Sequence, residues 1–154
     1  MTQLPIAAQM YTVREAAAQD FPGALRRVAQ LGYAGVELAG TFGLSGPEVA
    51  GLLADLGLTC LSAHVPLAKL RQNLAAEIEL GQAVGATFLV CPWLPPEQRG
   101  DKAAYRALAA ELNQMGQVCR ANGLQLCYHH HDFELVSFDG KYALDILFIQ
   151  CNAC

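Results

Sequence analysis

Apolar residues fall into five short runs, separated by longer stretches in which they recur at helical spacing. The runs predict strands at Ile6 to Val13, Gly35 to Ala39, Leu58 to Val65, Thr87 to Trp93 and Leu124 to Glu134. Asp20 can cap a helix over Phe21 to Leu31, and Ser45 with Glu48 forms a capping box for a helix reaching Leu56. Further helices are predicted from Leu67 to Val84, from Asp101 as cap to Ala121, and over Tyr142 to Ile149. Gly32, Gly57, Gly85 and Gly123 each stop a helix just before a strand, as at the αβ junctions of a parallel sheet. Asp139-Gly140 reads as a turn.

The order is therefore β-α four times, then a strand and a last helix. Strands covered on both faces explain the continuous apolar runs. Two architectures compete: an arc of a (β/α) barrel and a flat, doubly wound sheet. Side-chain parity favours the barrel. Gln9 and Tyr11 share a face, Glu37 opposes Val36 and Leu38, Ser62 and His64 share a face above Cys60, and Cys91 pairs with Trp93. On the fifth strand Gln125, Cys127, His129 and His131 share a face, while Tyr128 and His130 fall on the helix side as structural residues. Each strand then has one apolar parity and one that turns polar late, which describes a barrel with its chemistry at the C-terminal mouth. The fold expected is α/β, a parallel TIM-barrel type with about five strands of eight, in one partial-barrel domain over residues 1–154.

The mouth would hold Glu37, His64, His129, His131, Asp132 and Glu134. Imidazoles with carboxylates suit a divalent ion such as Mn, Zn, Co or Mg. Such an ion polarises a carbonyl while a neighbouring carboxylate moves a proton between adjacent carbons. A polar strand end that hydrogen-bonds its own loop is the plainer reading of the histidine cluster. Trp93 is either a sugar-stacking platform or a packed rim aromatic.

Composition narrows the classes. The 154 residues suit one domain; 53% are hydrophobic and 16% charged, which excludes a disordered chain. A net charge of −4, with ten scattered Lys and Arg, argues against a nucleic-acid surface. No apolar stretch reaches the roughly 20 residues of a membrane span, and the start lacks the features of a signal peptide. The expected location is the cytoplasm. Cys60, Cys91 and Cys127 lie in apolar strands and read as reduced, buried thiols. Cys151 and Cys154 form a C-x-x-C, a spacing that binds zinc, runs redox chemistry or arises by chance.

Several stretches together resemble the xylose isomerase-like TIM-barrel superfamily, in its sugar phosphate isomerase/epimerase branch. They are Gln-Met-Tyr-Thr-Val-Arg at 9–14, Gly-Tyr-Ala-Gly-Val-Glu-Leu-Ala-Gly at 32–40, Ser-Ala-His-Val at 62–65, Leu-Val-Cys-Pro-Trp-Leu at 89–94, Tyr-His-His-His-Asp-Phe-Glu at 128–134, Asp-Gly-Lys at 139–141 and Ala-Leu-Asp-Ile-Leu at 143–147. The resemblance implies a divalent metal and isomerisation or epimerisation of a sugar, keto-sugar or inositol derivative. It implies catalytic roles for Glu134, His64 and His129, metal ligands in Glu134, His131 and His129, and substrate contacts from Gln9, Tyr11, Glu37 and Trp93. Where relatives hold a fifth-strand glutamate, this chain has His129, with Glu134 the nearest carboxylate. The related endonucleases of abasic DNA fit poorly, because no basic groove is present.

A full barrel of this kind takes about 250 residues, so the chain is expected to be a truncated or frame-shifted product. Two outcomes are expected of it: a sugar isomerase or epimerase acting on a small-molecule substrate, or a non-catalytic partial barrel serving as a self-associating or binding module. Unpaired first and fifth strands would favour a homo-oligomer in either case.

Overall fold

In the computed structural model, which describes residues 4–150, five parallel strands form one sheet in the order β1-β2-β3-β4-β5. They are β1 (Ala7–Gln9), β2 (Gly35–Leu38), β3 (Thr59–His64), β4 (Phe88–Cys91) and β5 (Gln125–Tyr128). The helices are α1 (Arg14–Gln19), α2 (Phe21–Gln30), α3 (Gly46–Asp55), α4 (Leu67–Ala83), α5 (Lys102–Ala121) and α6 (Ala143–Gln150). Each strand pairs with the next in the chain. A doubly wound sheet needs a point where strand order reverses, and this sheet has none. Right-handed crossovers then put every connecting helix on the same face, as in a barrel wall. The flat alternative is excluded.

The helix caps follow local chemistry. The Asp20 carboxylate accepts from Gly23 N at 2.9 Å, and Asp101 accepts from Ala103 N and Ala104 N, both at 3.0 Å. The Ser45–Glu48 capping box is present. Leu25, Val36, Leu38, Leu53, Leu70, Leu89, Leu112 and Leu126 fill the core between sheet and helices. α4 breaks at Asn73, whose backbone is extended and whose Oδ1 accepts from Ala76 N at 3.2 Å, so α4 is two helical pieces.

Four strand-level expectations are corrected. The first strand ends at Gln9, because the Gln9 Oε1 accepts from Tyr11 N at 2.5 Å and turns the chain into a 3-10 turn over Met10–Val13. β3 carries a bulge opposite Val36 and Glu37. Cys60 pairs with Val36 and faces the helices, while Leu61 is 44% exposed on the inner face. On β4, Val90 pairs with His64 and Cys127, so the fully buried Cys91 faces the helices and Trp93 lies beyond the strand. The fifth strand ends at Tyr128, although His129 N still donates to Cys91 O at 3.0 Å.

Asp139 and Gly140 do form a turn, with φ of 51° and 77°. Positive φ at both central residues is the type I′ signature, and the turn joins β6 (Ser137–Phe138) to β7 (Lys141–Tyr142) in an unexpected hairpin. Cys60, Cys91, Cys119 and Cys127 are free thiols. Burial pushes the Cys60 thiol up to about 12 and the Cys91 thiol up to about 11. The Cys151–Cys154 pair lies outside the described residues. No helix among the described residues is long and apolar enough to cross a membrane.

Candidate functional site

The C-terminal ends of the strands open into a cavity of about 710 Å³. Gln9, Tyr11, His64, Trp93, His129 and His131 all line it, with Lys69 and Glu77 from α4. Gln9 reaches the wall as the last residue of β1, Tyr11 from the 3-10 turn, His64 as the last residue of β3, and Trp93 from the segment after β4. Tyr11 is 58% and Trp93 44% exposed, so both rings present surface to the opening.

Glu37 organises the floor without lining the cavity. Its Oε1 accepts from Gln9 Nε2 at 2.7 Å and lies 3.0 Å from His64 Nε2, and its Oε2 accepts from the Ser62 hydroxyl. The hydrogen bond from His64, supported by those from Ser62 and Gln9, lowers the Glu37 pKa to about 2 against the opposing effect of burial. Glu37 is therefore a firmly ionised carboxylate and a weak base. With Oε1 as acceptor, the His64 Nε2 carries a proton, which in the neutral ring puts the lone pair on Nδ1. The Gln9 amide nitrogen is 3.3 Å from both ring nitrogens, so it lies against the imidazole.

Three imidazoles follow one another along the wall. The ring centres of His64 and His129 are 5.4 Å apart, and those of His129 and His131 are 4.9 Å apart. Partial burial, with the neighbouring charges of His131 and His64, lowers the His129 pKa. This shift favours the neutral ring of His129, which has a lone pair to take a proton.

Glu134 is not at the mouth. It is fully buried; its Oε1 accepts from the Tyr128 hydroxyl at 2.5 Å and its Oε2 from His131 N at 2.7 Å. Its carboxylate closes the loop after β5 from below and meets neither ring of the histidine pair. Burial, then this hydrogen bond, raises the Tyr128 pKa, so the phenol stays protonated as donor. Asp132 sits at the loop's exposed turn, outside the cavity wall, and His130 is exposed.

The expected metal set of Glu134, His131 and His129 therefore does not converge. Among the described residues no group of three or more His, Cys, Asp or Glu side chains could hold a metal ion. Both carboxylates nearest the histidines are already engaged by protein donors, Glu37 by Gln9, Ser62 and His64 and Glu134 by Tyr128 and the His131 amide. The chain's described residues do not fit a metal centre.

Sequence pattern did not reveal Lys69, Glu77 and Arg99. Arg99 packs its guanidinium against Phe133 and Trp93, at 3.5 and 5.1 Å from the ring centres. A cation that follows the Pro-rich turn after β4 was the available signal.

Comparison with solved structures places the chain. A sugar phosphate isomerase/epimerase from Parabacteroides distasonis superposes over 99% of this chain with a TM-score of 0.82, at 18% identity. The fold is that of a TIM barrel. A xylose isomerase-like TIM barrel protein from Mycobacterium smegmatis, in complex with magnesium, matches 97% of the chain at TM-score 0.67 and 23% identity. The IOLI protein with a bound zinc atom matches 81% at TM-score 0.60 and 14% identity. The chain spans 63%, 62% and 51% of those structures, so the described residues hold five strands of the eight-stranded barrel. No family model matches the sequence, and no curated protein matches it. At these identities the likeness establishes the barrel and not its chemistry.

Proposed function

We propose that the cavity binds a sugar or keto-sugar and that His64 and His129 move a proton between its adjacent carbons, as in an isomerase or epimerase. The observation that supports this most is the Glu37–His64 pair on the cavity floor. Glu37 fixes the His64 tautomer and orientation, which leaves the Nδ1 lone pair as a general base for a C–H acidified by a neighbouring carbonyl. The imidazolium formed is stabilised by the ionised carboxylate behind it. His129, as the neutral imidazole, takes the proton of the substrate hydroxyl and returns it to the former carbonyl oxygen, while His64 delivers its proton to the neighbouring carbon, so both histidines end as they began. Trp93 and Tyr11 offer apolar faces for the C–H edge of a sugar, and Gln9 offers its amide. Glu37 acts on His64 and Glu134 holds the loop after β5, and neither lines the cavity. Divalent metal remains part of this reading through the relatives that carry magnesium and zinc; donors for it would have to come from beyond the described residues.

The test is solvent exchange. The protein is incubated in D2O with a panel of ketoses and keto-polyols, with and without Mn, Mg, Zn or Co, and deuterium at the carbon beside the carbonyl is followed by proton NMR. The expected result is incorporation that His64→Gln reduces by about 10²-fold or more. No incorporation into any member of the panel would refute the reading.

A second reading, a self-associating barrel segment without catalysis, is supported by the unpaired outer edges of β1 and β5 among the described residues and by exposed Leu61 on the inner face. It predicts a concentration-dependent oligomer by light scattering and no solvent exchange.

A further inference from the structure

Removing a proton from a carbon beside a carbonyl puts negative charge on the carbonyl oxygen, and a group in the cavity wall has to hold it. The Gln9 amide nitrogen is committed to Glu37 at 2.7 Å, and Tyr11 brings only a neutral phenol. Lys69 is the one lysine or arginine among the residues that line the cavity.

Its backbone is fixed close in sequence to the proposed base. His64 ends β3, and Lys69 stands in the first turn of α4. The link between them is pinned: Val65 N donates to Val90 O at 2.8 Å, and Pro66 O accepts from Lys69 N at 2.9 Å and Leu70 N at 3.2 Å. Leu67 and Leu70 are buried in the core, while Lys69 is exposed and turned to the cavity. Its ammonium makes no ion pair among the described residues, with Glu77 of the same wall or with any other carboxylate. The position does nothing for the helix. A cation is disfavoured where the first backbone N–H groups point outward, and α4 has no acidic residue in its first turn to offset it.

We propose that the Lys69 ammonium is the electrophile of the site, donating a hydrogen bond to the substrate's carbonyl oxygen. This rests on the proton transfer proposed above and adds the group that bears the charge. As His64 takes the C–H proton, the C–H electron pair forms a carbon–carbon double bond and the carbonyl π pair moves onto the oxygen. Lys69 holds that oxygen until His129 returns a proton to it, and keeps its own protons throughout. A flexible four-carbon stem lets the ammonium follow the oxygen as charge develops.

The test uses the solvent-exchange assay and ketose panel above, under the metal condition that supports exchange. Lys69→Met keeps an apolar stem and removes the charge. It should lower kcat for exchange by about 10²-fold or more, with little change in KM, because the bond strengthens only as charge forms. Lys69→Ala should lose as much and regain about tenfold or more with added propylammonium, which replaces the missing donor. Tetramethylammonium, which carries charge without N–H groups, should restore nothing. Circular dichroism checks that both variants fold. Exchange by Lys69→Met at the parent's rate, a loss confined to KM, or a Lys69→Ala loss that propylammonium leaves untouched would overturn the role. Exchange that His64→Gln suppresses and Lys69→Met leaves intact removes Lys69 alone. No exchange by the parent removes the proton-transfer reading and this role with it.

Discussion

The Tyr128 hydroxyl donates to the Glu134 carboxylate at 2.5 Å, beneath the loop that carries His129 and His131. Glu134 has no exposed surface, and its second oxygen is used by the His131 amide. A buried carboxylate is tolerated only while its donors are in place. Tyr128→Phe removes one of two donors and should destabilise the fold by about 1–3 kcal/mol. Glu134→Ala strands both the phenol and the His131 amide and should cost more, roughly 2–5 kcal/mol. Urea denaturation of both variants measures this; a Tyr128→Phe variant as stable as the parent would show that the hydroxyl is dispensable.

Glu37 sets an acid limit. The hydrogen bond from His64 holds its carboxyl down at about 2 in the folded chain, against an ordinary 4.5. A lowered folded pKa means stability that is present above about 4.5 and lost as pH falls toward about 2. The full shift would correspond to roughly 3 kcal/mol, and solvent reaching the partly open carboxylate reduces it to about 1–2 kcal/mol. Glu37→Gln should flatten the stability curve in that window, as read by denaturant midpoints at several pH values. A slope between pH 2 and 4.5 that survives the substitution would assign the effect to other carboxylates.

Two glycines should respond in opposite directions to alanine. A Cβ on Gly35 would meet Thr59 O and Oγ1 at 2.6 Å and Leu61 Cδ1 at 2.7 Å, so β2 and β3 would have to part. Gly35→Ala should cost about 1–3 kcal/mol. Gly51 sits exposed within α3 with nothing within 4 Å of a Cβ. Gly51→Ala should stabilise by about 0.5–1 kcal/mol. Melting temperatures of the two variants moving the same way would contradict this placement of the strands and α3.

Asp101 caps the longest helix by accepting from two amides of its first turn. Asp101→Ala should cost about 1 kcal/mol, and Asp101→Asn much less, because the amide oxygen can still accept. Equal losses in both would point to the charge and not to the hydrogen bonds.

All the helices but α1 were legible because their signals are local. Asp20, Ser45 and Asp101 act within three residues, and Gly32, Gly57, Gly85 and Gly123 take the positive φ that ends a helix. The strand order was legible too, since each α-to-β junction repeats the same device. Where each strand stops was not. Gln9 bends the chain through its own side chain, and Glu134 does so from beneath the loop after β5. Neither bond follows from alternation of polar and apolar residues. The bulge in β3 shifted parity, which is why Cys60 faces the helices. For the site, His64 at the end of β3 and His129 and His131 just past the end of β5 line the cavity. Glu134 reads in sequence like its polar neighbours, and only the approach of Tyr128 shows it as a buried anchor.

The sheet order has a kinetic consequence. Because spatial order repeats chain order, each strand docks onto an edge already formed by the strand before it. Every pairing then closes a loop of one β-α unit, and closure entropy rises only slowly with length. Assembly can run from the amino end as the chain emerges from the ribosome, with no strand waiting for a distant partner. The β5 edge is then the growing front, and how fast it is covered decides between continued folding and capture by another chain.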